Sequence, residues 1–150
     1  MTFRIGIISD THGLLRPEAE RCLTGVDHII HAGDIGAPKI VEALCRIAPV
    51  TAIRGNVDSG EWAREYPNTQ LVRLAGKSIY VLHDLKTLNA DPGVEVIISG
   101  HSHVPKIDTV GGVLYLNPGS AGPRRFKLPI TVATLEVVPE GMRPAIHHLE

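Results

Sequence analysis

The sequence predicts an α/β fold in which parallel β-α-β units come first and antiparallel hairpins follow. Three observations carry that reading. Apolar runs alternate with helical stripes up to about residue 56; paired apolar runs joined by glycine-rich turns come after it; and five of the runs end in residue types that bind metals.

Phe3 to Ile8 reads as the first strand and hands over at Asp10 to a loop, Thr11 to Arg16. Pro17 suits the first helical position, where a missing N–H is no loss, and Leu15, Ala19, Cys22, Leu23 and Val26 recur at helical spacing. His28 to Ala32 is the second strand. The unit then repeats: Pro38 opens a helix with the stripe Ala37, Ile40, Val41, Leu44, Cys45 and Ala48, Pro49 closes it, and Val50 to Ile53 is the third strand. Two such units imply parallel strands with right-handed crossovers.

Beyond Asn56 a polar loop from Asp58 reaches to Pro67. Gln70 to Ala75 and Ser78 to Leu82 then flank Gly76-Lys77, a two-residue hairpin signal that marks where antiparallel strands begin. A connector over 86–92, one or two helical turns long, leads to the run Val94 to Ile98. Two more hairpins are expected, one around Gly111-Gly112 and one around Pro139-Glu140-Gly141.

At 150 residues the chain has a single-domain length, 1–150, able to bury roughly 68–70% of its unfolded surface. Its net charge of -1 and dispersed basic residues lack the excess that tracks a nucleic-acid backbone, so a nucleic-acid polymer is not an expected partner. Cys22 and Cys45 fall on the apolar sides of the two helices and read as buried, reduced thiols, which fits the cytoplasm. No charged-then-apolar leader precedes the first strand, and no apolar run nears the ~18 residues of a membrane span, so no membrane partner is expected. A homo-oligomer is left open.

The five strand ends deliver Asp10 and His12, Asp34, Asn56, His83, and His101 with His103. Open α/β sheets bind ligands at their carboxyl ends, and the i, i+2 spacing of His101 and His103 puts both on one side of an extended segment. These donors exceed what one four- to six-coordinate ion needs, so two ions are implied. Oxygen and nitrogen donors without thiolate suit the transition metals Mn, Fe, Zn, Ni or Co better than Ca or Mg. Two such ions about 3.5–4 Å apart can activate a bridging hydroxide and neutralise a phosphoryl group, which points to a small phosphoester substrate.

Asp10-Thr11-His12, Gly33-Asp34, Gly55-Asn56-Val57-Asp58, His83 and Gly100-His101-Ser102-His103 resemble, in order, the five blocks of the calcineurin-like metallophosphoesterase superfamily. Asn117-Pro118-Gly119-Ser120 with Pro123-Arg124 resembles the ending of its small YfcE-type branch. The resemblance implies two facing mixed β-sheets flanked by helices. It implies Asp10, His12 and His103 on a first ion, Asn56, His83 and His101 on a second, and Asp34 as the bridge. Manganese heads the candidate metals, and the implied reaction is phosphodiester hydrolysis by a metal-bridging hydroxide. Asp34, Asn56, Asp58 and His101 are the expected catalytic group, Asp58 either accepting a hydrogen bond from a ligand imidazole such as His12 or standing as an ordinary turn carboxylate. Asn56 and Arg124 are the expected substrate contacts, a loop salt bridge being the other reading of Arg124, and Arg54 and Arg125 are further guanidinium candidates.

Two positions depart from the family pattern. Val57 stands where many members carry a histidine that protonates the leaving group, and Asp84 follows His83 where glycine is common. Asp84 is either a positioner of a ligand or a solvated loop carboxylate. His31 reads as a core histidine. His28, His147 and His148 fall outside any motif, the last two at the surface, and Asn117 to Ser120 reads as a tight turn supporting the ligand loops. The alternative is a protein-interaction scaffold with little or no turnover. A retromer subunit of this fold resembles the same branch yet has lost part of the metal set, whereas all seven ligand positions are filled here.

Overall fold

A computed structural model describes residues 2–89 and 92–150. Its described residues form ten strands and two α-helices: β1 (Phe3–Ile8), α1 (Pro17–Leu23), β2 (His28–His31), α2 (Pro38–Cys45), β3 (Val50–Ala52), β4 (Thr69–Leu74), β5 (Lys77–Leu82), β6 (Val96–Ile98), β7 (Lys106–Val110), β8 (Val113–Asn117), β9 (Thr131–Val138) and β10 (Gly141–His148). Both helices carry proline in their first turn, as their sequences require.

The strands form two five-stranded sheets, ordered β10-β9-β1-β2-β3 and β4-β5-β6-β8-β7. In the first, β1, β2 and β3 are parallel and the β9-β10 hairpin adds antiparallel to β1. In the second, β5, β6 and β8 are parallel, with β4 and β7 antiparallel at the edges. The expected hairpins supply the antiparallel pairs of this half, and the pairing of β6 is not specified by the sequence. The connections from β5 to β6 and from β6 to β8 run as crossovers, which bring the carboxyl ends of β5 and β6 to one rim.

Alternation splits each central strand between two layers. Ile5 and Ile7 join Ile30, Ile53, Ile79, Val81, Val96, Ile98 and Leu116 between the sheets. Ile8 and Ile29 instead meet Ala19 and Leu23 of α1 and Ile40, Val41 and Leu44 of α2 on the other face. Gly6 makes room for α1, since a Cβ there would lie 2.6 Å from Leu23 Cδ2. With both faces buried, β1 and β2 read as nearly unbroken apolar runs. The two facing mixed sheets are as expected, but the helical layers are unequal. Both α-helices cover the first sheet, and among the described residues the outer face of the second carries a small apolar cluster, with Leu88, just past the 3-10 turn Leu85–Thr87, packed on it.

Four local expectations change. The first hairpin turns at Ala75-Gly76, with Leu74 paired to Lys77 and φ of 51° and 81°. A tight turn of this hand needs positive φ at both central residues, and glycine takes the second. The last hairpin turns at Pro139-Glu140, with Val138 paired to Gly141. A 3-10 turn, Trp62–Glu65, lies within the expected polar loop. Cys45, the last residue of α2, is exposed and Cys22 is half-buried, so neither is the buried thiol expected. The connector expected over 86–92 falls partly outside the described residues.

Candidate metal centre

The loops after β1, β2, β3, β5 and β6 meet at one rim. Backbone bonds stitch them together: Asp10 N–H donates to Gly33 O (3.0 Å), His12 N–H to Asp34 O (2.9 Å) and Gly100 N–H to His83 O (2.9 Å). The approach is close enough to exclude side chains. A Cβ on Gly55 would sit 2.2 Å from Asp34 Oδ1, and one on Gly100 2.1 Å from Ser9 Oγ.

Backbone strain concentrates here. Seven non-glycine residues have positive φ among the described residues, and five of them are Asp10, His12, Asp34, His101 and His103. Each left-handed residue costs roughly 1–2 kcal/mol, and such strain gathers where a site dictates side-chain direction. The extended geometry expected of His101 and His103 is therefore replaced. Both lie in a loop beyond β6 and turn to different partners.

The donors form two groups, Asp10 with His12 and His103, and Asp34 with His83 and His101; within each, the candidate ligand atoms all lie within 4.8 Å of one another. The groups interlock. Asp34 Oδ2 is 3.6 Å from His12 Nε2 and 3.1 Å from His83 Nε2, while Asp10 Oδ1 is 3.4 Å from His103 Nε2 and 3.7 Å from both His12 and His83. Asn56 Oδ1 is 3.2 Å from His101 Nδ1 at the exposed mouth.

Three of these atoms, Asp10 Oδ1, His12 Nε2 and His83 Nε2, are buried without a hydrogen-bond partner, as is the other ring nitrogen of His103, Nδ1. Buried polar atoms are ordinarily paired. A cluster of unpaired carboxylate oxygen and imidazole nitrogen is the donor chemistry that a divalent transition metal satisfies, so the residues fit the implied ions. The other end of each group is anchored. Asp10 Oδ2 accepts from Ser9 Oγ (2.7 Å) and His101 N–H (3.0 Å), Asp34 Oδ1 accepts from Val57 N–H (3.1 Å), and His83 Nδ1 donates to Ala32 O (2.7 Å). That last bond leaves His83 Nε2 free to turn inward.

The charges agree with this geometry. Burial alone would raise the Asp34 carboxyl, but His83, the Val57 N–H and His12 outweigh it and hold it well below the usual carboxylate range. Burial alone would lower His83, but Asp34 and the Ala32 carbonyl outweigh it and raise the imidazole. His12 is raised chiefly by Asp10. Carboxylates that draw protons onto these rings would equally draw a cation between them, and binding would release those protons.

His31, fully buried, is a core histidine as expected: its Nδ1 accepts from Gly33 N–H (3.1 Å) and its Nε2 faces Thr11 Oγ1 (3.0 Å). Burial holds it down to about 4. Below pH ~6.5 the unfolded chain therefore takes up a proton that the folded one refuses, and stability falls until about pH 4. In urea titrations of metal-free protein, the stability difference between wild type and His31→Asn is expected to shrink by about 2–3 kcal/mol from pH 7 to 4.5. Parallel curves would contradict a buried neutral imidazole.

Several expected roles move. Asp58 makes no bond to His12. Its carboxylate accepts three backbone N–H groups, from Ile35 (3.0 Å), Gly36 (2.9 Å) and Gly55 (2.9 Å), and so clamps the loop after β2 to the loop after β3. Arg124 is engaged by Leu128 O and the Glu150 carboxylate, and Arg54 by Asn68. The guanidinium whose charge reaches His12 and His103 is that of Arg125. Asp84 accepts from Lys86 N–H (3.1 Å) and lies 3.8 Å from His101 Nε2. His147 is half-buried against Thr134 rather than at the surface. Asn117 supports the ligand loop, donating to Gly100 O (2.9 Å). Ser9 and the Ala32 carbonyl were missed; only the position of Ser9 beside Asp10 hinted at its part.

A sequence model described as the calcineurin-like phosphoesterase superfamily domain matches residues 3–140. The chain belongs to that superfamily. Among similar members, a probable metallophosphoesterase of Methanocaldococcus jannaschii is 37% identical over 131 residues, 79% of this chain and 68% of that protein. Phosphodiesterase YfcE of Escherichia coli is 29% identical over 143 residues, 75% of this chain and 76% of that protein. Solved structures with this calcineurin-like fold include an archaeal phosphodiesterase (TM-score 0.78, 23% identity, 97% of this chain and 100% of that one). Vacuolar protein sorting 29 from Cryptosporidium parvum is another (TM-score 0.77, 18% identity, 98% and 97%). Among the described residues no helix is long and apolar enough to cross a membrane.

Proposed function

We propose that the chain is a single-domain, dinuclear metal-dependent phosphodiesterase that hydrolyses a small phosphoester in the cytoplasm. The observation that carries this reading is the convergence of three buried, unpaired donor atoms, Asp10 Oδ1, His12 Nε2 and His83 Nε2, from two loops of a superfamily member. Asp10, His12 and His103 would hold one ion, Asn56, His83 and His101 the other, and Asp34 would bridge them, with manganese the first candidate. When bound, the pair would supply Lewis acidity, making water a nucleophile near neutral pH and offsetting phosphoryl charge.

The chain's own residues do the positioning. Ser9 Oγ and His101 N–H fix one oxygen of Asp10, and Val57 N–H fixes one oxygen of Asp34, so in each carboxylate the other oxygen turns inward. Asn56 and His101, both exposed, stand at the mouth, where a phosphoryl oxygen would arrive. Arg125 adds positive charge that is felt at His12 and His103. Val57 offers no proton beside Asn56, so the leaving group departs without help from that position. A scaffold of the same fold is the weaker reading, because a scaffold has no need of seven filled donor positions.

Aryl phosphodiesters of graded leaving-group acidity, assayed with added Mn, test the proposal. Turnover is expected, with rates falling roughly fivefold or more per unit of leaving-group pKa. No turnover with any diester in any transition metal would refute it, and a flat dependence would reveal an acid elsewhere.

A further inference from the structure

A cleft of about 510 Å³ opens beside His101 on the outer face of the second sheet. The turn at 84–87, the segment after His103 and strand β8 bound it. Leu85, Val104 and Tyr115 give it apolar walls, Ser102 a hydroxyl, and Lys86 and Lys106 two ammonium groups. No α-helix among the described residues covers this face, and Leu85 and Val104 are 41% and 45% exposed. Its one carboxylate, Asp84, is turned toward Lys86 N–H and His101. Neither lysine ammonium has a carboxylate partner among the described residues. The cleft is thus apolar with a positive rim, and its volume lies in the range of small-molecule sites.

His101 joins the two places. It belongs to the second donor group and also lines the cleft. A substituent that extends from a phosphoryl group at the donor groups past His101 would enter the cleft. We propose that the cleft receives the non-reacting half of the substrate, a flat apolar body that carries a second negative charge of its own. The inference rests on the hydrolytic reading of the metal centre. It adds a substrate class: anionic aryl or nucleoside phosphodiesters, selected over diesters that bear no second charge.

Two chromogenic substrates with the same leaving group separate the terms: the nitrophenyl ester of thymidine 5′-phosphate, and the same ester carrying a further 3′-phosphate. The wild type is expected to favour the second by about tenfold in kcat/KM, a preference that shrinks as salt rises. Lys86→Ala with Lys106→Ala should bring the ratio to about one, and the exposed Val104→Ser should raise KM for both esters. Bis(nitrophenyl) phosphate reports on the metal centre itself, so its failure in the wild type indicts the hydrolytic reading and not the cleft. Calorimetric binding of thymidine 3′,5′-bisphosphate reads the cleft without turnover, with about tenfold weaker binding expected in the double variant. A wild-type ratio near one, an unchanged ratio in the double variant, or equal bisphosphate affinity in both proteins would overturn the proposal.

Discussion

Asp34→Asn is expected to lower hydrolysis of bis(nitrophenyl) phosphate in added Mn by about a thousandfold or more. Asp34 Oδ2 lies 3.6 Å from His12 Nε2 and 3.1 Å from His83 Nε2, and so faces both donor groups at once. Its other oxygen is occupied by Val57 N–H. The amide that replaces it keeps an acceptor for Val57 only by turning its NH2 inward, where it offers hydrogens in place of a negative oxygen. One charge is lost and one contact becomes repulsive, with almost no change in shape. The metal-free variant should retain the far-ultraviolet dichroism of the wild type, which separates loss of the site from loss of the fold. Activity within tenfold of wild type would mean that Asp34 bridges nothing.

Asp58→Asn is expected to act through the scaffold of the site. The carboxylate holds three backbone N–H groups on two loops, and it is almost completely buried. An amide has one acceptor oxygen: placed where Oδ2 lies it keeps Ile35 and Gly55, but the Gly36 N–H then loses its partner and faces an NH2. An unsatisfied buried donor costs about 1–3 kcal/mol, and bonds to a charged acceptor are the stronger kind. A loss of about 3 kcal/mol, or roughly 10 °C in Tm, is expected for a chain of this length. Because the clamp joins Ile35 and Gly36, which follow Asp34, to Gly55, which precedes Asn56, metal affinity should fall as well. A variant with unchanged Tm and unchanged metal affinity would show that the clamp is dispensable.

The candidate donor positions were legible because hydrophobic runs are bounded sharply. A strand must stop where its burial stops, so the first polar residues after Ile8, Ala32, Ile53, Leu82 and Ile98 fall at one rim. The Gly111-Gly112 turn was legible for a local reason, since both residues take positive φ, 58° and 80°. What depended on distant partners was not. Asp58 had three backbone partners, two of them more than twenty residues away, and no side-chain pattern records a bond to a backbone N–H. The parallel order β5-β6-β8 follows from crossovers fixed by packing between the sheets, not by the hairpin signals that flank each strand. Arg124 and Arg125 are adjacent and chemically identical; only the turn between β8 and β9 decides that Glu150 takes the first and the metal centre feels the second. The left-handed backbone at five candidate donors was equally hidden, because Asp and His, though enriched at positive φ among non-glycine residues, adopt it only at a small share of their positions.

The most direct measurement is anomalous diffraction from crystals of the manganese-loaded protein, collected on both sides of the metal edge. Two peaks about 3.5–4 Å apart are expected, one within reach of Asp10, His12 and His103, the other of Asn56, His83 and His101, with Asp34 contacting both. A single peak, or ions bound away from these side chains, would contradict the account.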